Sequence, residues 1–111
     1  VKQRYVTEMG MGVDVHGRDH TTAAVRAVFD AIHHSSLNFF PVLGKTAHDM
    51  EIDVLIGVPD PDAVDTGAVA AALPYGTVTV KTMVGGLEIP SEDGTDSVII
   101  ANAGIIVHLN D

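Results

Sequence analysis

Apolar residues alternate with polar ones or glycine over residues 4–16 and 50–58. Helical spacing follows the first of these stretches, and two Val/Ile/Thr-rich runs close the chain. If Arg4 to His16 is extended, Tyr5, Met9, Met11, Val13 and Val15 share one face, which is expected to enter a core. Glu8, Asp14 and His16 take the other face, with Gly10 and Gly12 between them. Asp19 or Thr21 then caps a helix running to His34, in which Ala24, Val25, Val28 and Ile32 form the buried stripe. Arg26 and Asp30 lie four apart on its wet side.

Pro41 and Gly44 break the connection from Ser35 to Thr46. Its Leu37, Phe39, Phe40, Val42 and Leu43 are too apolar for a solvated loop, so they are expected under the sheet or against another subunit. Met50, Ile52, Val54, Ile56 and Val58 mark a second strand. Pro59-Asp60-Pro61-Asp62 ends it, and Asp65 or Thr66 caps a short helix from Ala68 to Leu73. Thr77 to Leu87 and Ser97 to Leu109 read as strands joined as a hairpin by the acidic turn Pro90–Thr95, with Gly104 as a candidate bulge. The order β-α-β-α-β-β predicts a single α+β domain over residues 1–111. The expected architecture is a two-layer sandwich, a mixed four-stranded sheet with helices on one face, its first two strands a parallel pair. The last strand is apolar at nearly every position and hard to leave in water on either side, which predicts a homo-oligomer.

Composition narrows the classes. With 46% hydrophobic and 19% charged residues the chain reads as a soluble globule. No run approaches the ~18 apolar residues of a membrane span. The N-terminal residues lead straight into strand-like sequence, so no signal peptide is expected. The absence of cysteine removes disulfides, thiolate catalysis and cysteine-bound zinc, and suits a cytoplasmic protein. Residues 1–45 hold five Lys/Arg against four acids, whereas residues 46–111 hold one, Lys81, against eleven, giving the net charge of −9. So acidic a surface repels phosphate backbones, and nucleic acid is not an expected partner.

The chemistry concentrates in Gly10-Met11-Gly12-Val13-Asp14-Val15-His16-Gly17 and the following Arg18, Asp19 and His20. A carboxylate and an imidazole two apart on a strand, beside residues without side chains, leave room for a ligand. Three readings compete. In the first, Asp14 and His16 hold a divalent metal, zinc or manganese, with His48, His20 and Glu8 as further candidates. Metal-bound water would then support hydrolysis or lyase chemistry on a small polar molecule. Without metal, His16 oriented by Asp14 is a general base, with His20 nearby. In the second, Gly10, Gly12 and Gly17 form a turn that binds an anion at the helix N-terminus, helped by Arg18. In the third, Asp14 accepts hydrogen bonds from the turn and the octet is structural, at a subunit contact. A dinucleotide loop is disfavoured, because the glycine expected three after Gly12 is Val15. His33-His34, Glu51/Asp53 and Lys81 are secondary candidates beside their ordinary surface roles.

With Pro74-Tyr75-Gly76 and Val84-Gly85-Gly86-Leu87-Glu88, the octet G-x-G-x-D-x-H-G resembles the signature of an uncharacterised family found in bacteria and plants. That resemblance covers nearly the whole chain and implies no assigned activity. The octet alone is also similar to the first strand of 2-C-methyl-D-erythritol 2,4-cyclodiphosphate synthases, whose Asp and His bind zinc. This similarity implies metal ligation by Asp14 and His16, with His48 near the place of the third ligand. The run His48-Asp49-Met50-Glu51 departs from that family's H-S-D-G-D, and the chain lacks the family's cytidine-binding segments.

Overall fold

The last strand is the spine of the molecule. In the computed structural model, which describes residues 2–33, 50–73 and 76–110, the elements run β1 (Lys2–Asp14), α1 (His20–His33), β2 (Met50–Val58), a 3-10 turn (Pro61–Ala63), α2 (Thr66–Ala71), β3 (Thr77–Val84), β4 (Leu87–Pro90) and β5 (Ser97–Asn110). The sheet has five strands ordered β1-β5-β2-β3, with β4 pairing β5 off this path. β5 runs antiparallel to both β1 and β2, and β3 is parallel to β2. The α+β sandwich with helices on one face stands, and α1 and α2 pack together over that face.

Four expectations are corrected. The first two strands do not pair, because β5 inserts between them. At 14 residues β5 is long enough to pair β1 along one edge while β2 and then β4 occupy the other. The Thr77–Leu87 run does not form the hairpin with β5. It splits, β3 staying beside β2 while β4 makes the hairpin. The step between them needs glycine. Gly86 has φ +60, and a Cβ there would lie 1.9 Å from the Ile100 carbonyl oxygen. Gly104 is no bulge, since it stays in register with Met9 and Leu55. The irregularity falls between Arg4 and Val6.

The fourth correction concerns which face is inside. Met50, Ile52, Val54, Ile56 and Val58 of β2 and Ile99, Ala101, Ala103, Ile105 and Val107 of β5 form the core under the helices, as alternation predicts. On β1 the assignment inverts. Met9 is 76% exposed and Met11 54%, whereas Gly12 and Asp14 are buried. Val15 is exposed too, and the side chain of Tyr5 lies outside the described residues. The reason is α1. Its Ala23, Ala27 and Ala31 face Gly10 and Gly12, and a Cβ on either glycine would lie within 2.4 Å of helix backbone. Small residues on both sides let helix and strand touch backbone to backbone. The buried stripe of α1 therefore centres on Ala23, Ala24, Ala27, Val28 and Ala31, with Val25 and Ile32 at its margin.

The same closeness protects the sheet edge. Arg26 Nη1 donates to the Val13 carbonyl at 2.7 Å, and the Met11 amide donates to Asp30 Oδ2 at 2.9 Å. The two wet-side residues of α1 thus bond edge backbone of β1 that no strand pairs. The apolar connection at 35–46 lies outside the described residues.

Candidate functional site

Strand β1 ends at Asp14, and the chain turns through residues 15–19 into α1. Asp14 is buried at 7% exposure. Its Oδ2 accepts from the Asp19 amide at 2.9 Å, and its Oδ1 lies 3.9 Å from Arg26 Nη1. Asp19 in turn accepts from the Thr22 amide at 3.0 Å and is the helix cap. That amide holds the Asp19 carboxyl below the usual range. Two carboxylates therefore already occupy the start of α1. An anion there would meet charge of its own sign, and Arg18 points its guanidinium to the Gly94 carbonyl at 3.3 Å. Arg18 sits in the left-handed region at φ 52, directly after Gly17 at φ 91. The two residues reverse the chain into the helix.

His16 does not share surroundings with Asp14. Its side chain is 87% exposed, and Nδ1 lies 3.5 Å from Asp96 Oδ2. Asp96 belongs to the turn before β5 and also accepts from the Gly17 amide at 3.1 Å. Its carboxyl is lowered, first by the Ser97 amide, then by Gly17 and His16. Sequence reasoning missed Asp96. It lies 80 positions from His16, in a turn that reads only as acidic.

His20 is 9% exposed at the start of α1, with Nδ1 3.1 Å from the Arg18 carbonyl. A carbonyl only accepts, so Nδ1 carries the proton. Nε2 is then a buried acceptor with no partner among the described residues. Gly10 and Gly12, expected beside a ligand, lie under α1, while Gly17 is open. Among the described residues no three His, Asp or Glu side chains converge as a metal cluster. Asp14 already serves the Asp19 amide, with the Arg26 guanidinium nearby. His48 lies outside the described residues. Among the described residues no helix is long and apolar enough to cross a membrane.

The β4–β5 hairpin and the turn after β1 enclose a cleft of about 420 Å³. Val15, Ile89, Pro90 and Val98 give it apolar walls, and His16, Ser91 and Asp96 stand among its polar groups. Asp93 stiffens the hairpin. It accepts from the Thr95 amide and from the Thr95 and Ser91 hydroxyls, which lower its carboxyl to about 2.

A family model described as a conserved hypothetical protein, Lin0512_fam, matches residues 4–107. The chain is similar to a crystal structure titled an FtsZ-like protein of unknown function from Nostoc punctiforme. Sequence identity is 36%, coverage is 99% of this chain and 98% of that one, and the TM-score is 0.87. No curated protein matches the chain.

Proposed function

The chain belongs to the conserved hypothetical Lin0512 family, and on that premise we propose that it binds a small polar molecule in the cleft at the end of the sheet, with His16 as proton acceptor or donor. The observation that carries this is the His16–Asp96 pair at the cleft, 3.5 Å apart and braced by the Gly17 amide. With Nδ1 facing a carboxylate, the other ring nitrogen is presented as a base, the arrangement general acid–base chemistry needs. Asp93 and Asp96 beside it favour a neutral or cationic molecule over an anion. Val15 and Ile89 supply the apolar surface that small-molecule sites use.

The experiment is a protein-observed NMR screen with a library of small neutral and cationic polar compounds. Binders are expected to shift the amides of His16, Gly17, Asp96 and Ser97, and His16→Ala or Asp96→Asn should weaken them at least tenfold. If no compound perturbs this cluster, or if binding survives both substitutions, the reading fails.

A further inference from the structure

The sheet face away from the helices carries an apolar tract that α1 and α2 leave uncovered. One row of same-face residues runs Met9, Gly104, Leu55, Lys81 across β1, β5, β2 and β3, and the next runs Met11, Asn102, Gly57, Met83. Met9, Met11 and Met83 are exposed at 76, 54 and 44%, and Leu87 and Ile89 of β4 continue the tract at 61 and 51%. Gly57 and Gly104 floor a hollow of about 490 Å³ between these side chains.

We infer that a second copy of this chain covers this face, related by a two-fold axis that runs along the strands between β5 and β2. Such an axis superposes each row on its own reverse. Leu55 of each copy then sits over Gly104 of the other, Met11 over Met83 and Met9 over Lys81, so the leucine meets a hollow and the long side chains meet flexible thioethers. The row nearer the open end runs Arg4, His108, Glu51, Thr77 and places His108 against Glu51 of the second copy. The same axis sets Arg4 over Thr77 and Lys81 over Met9, so no like charges oppose each other in these rows. Asp53 is already paired with His108 at 3.4 Å. Four rows ~6.8 Å apart on four strands ~4.8 Å apart span roughly 520 Å² before corrugation, and Leu87 and Ile89 of β4 with their neighbours on β5 extend the face toward the ~600 Å² per partner at the lower end of specific interfaces. Two sheets packed this way align within about 30°.

The test uses the absence of native cysteine. Within one copy Met11 and Met83 lie three strand spacings apart, ~14 Å, beyond the ~7 Å limit for a disulfide. Across packed sheets an inter-sheet disulfide is feasible. The Met11→Cys/Met83→Cys double variant, mildly oxidised at micromolar concentration, is expected to give a reductant-sensitive dimer on denaturing gels. Met11→Cys or Met83→Cys alone should give at least fivefold less. Light scattering should place the wild type at twice 11.6 kDa and a Met11→Glu/Met83→Glu variant at 11.6 kDa with unchanged circular dichroism. His16→Ala should leave the dimer intact, so this inference and the cleft reading fail separately. A wild type monomeric at 100-fold different concentrations overturns it. So does any oligomer in which the double variant crosslinks no better than the single ones.

Discussion

Substituting Gly12 by alanine tests whether the octet's glycines serve the helix or a ligand. The new Cβ would lie 2.2 Å from the Ala23 carbonyl oxygen and 2.3 Å from the Ala27 amide nitrogen. Both are helix backbone, so no rotamer change relieves the clash. Restoring ordinary contact requires α1 to lift by ~1 Å, and a radial gap of that size forfeits a quarter to a half of each dispersion well it opens. The contacts at stake are those of Ala23, Ala24, Ala27, Val28 and Ala31, all fully buried. Overpacking typically costs ~1–3 kcal/mol. Because helix backbone rather than a flexible side chain must move, the upper end applies, so about 3 kcal/mol is expected, or roughly 12 °C in Tm for a chain of this length. Gly10→Ala meets Ala27 and Ala31 backbone in the same way. Once α1 has lifted, the second substitution adds little, and the double variant should cost clearly less than the sum. Urea unfolding followed at 222 nm measures all three. Gly17→Ala is the control, its Cβ open and its φ +91 the only penalty, about 1 kcal/mol. A Gly12→Ala cost below 1 kcal/mol, or full additivity with Gly10→Ala, would refute the reasoning.

Asp14→Ala leaves the Asp19 amide without its acceptor and removes a carboxylate 3.9 Å from Arg26 Nη1. A loss of ~1–3 kcal/mol is expected, read as a fall in urea midpoint, and an unchanged midpoint would show that the carboxylate does not hold the turn. For Asp93 the folded carboxyl lies at about 2, below its ordinary value of 3.8. A depressed acid stabilises the folded state above its unfolded value and loses that contribution as pH falls through the folded one. Hairpin order should therefore persist at pH 4 and decay toward pH 2. Carbon-detected titration of the Asp93 carboxyl checks this, and a midpoint near 3.8 counts against it.

Local sequence wrote most of the elements. The capping acids Asp19 and Asp65, the alternation of β2 and the breakers around Pro59 and Pro74 are short-range signals, and α1, α2 and β2 follow from them. The face of β1 was not legible, because period-two alternation states that two faces differ and not which one meets the helix. Apolar Met9 and Met11 argued for the inside, but the glycines between them admit a helix more closely than any side chain does. Strand order was hidden for a related reason. Whether β5 lies beside β1, β2 or both depends on pairings up to 108 residues apart, such as Lys2 with Asn110, and no local pattern encodes them.

The candidate site divides along the same line. That a segment rich in glycine, carboxylate and imidazole joins β1 to α1 is legible from residue types alone, since the alternation of β1 stops there and the helical spacing of α1 begins. What each of these residues touches follows from the fold. Asp14 turns inward to the Asp19 amide because β1 ends there against α1, and His16 turns outward to Asp96 because the β4–β5 hairpin folds back beside it. The partner of Asp14 lies five residues on in the same turn, whereas that of His16 is brought by a segment 80 positions away. Chemistry can be read from residue types, whereas the company each residue keeps is a property of the fold.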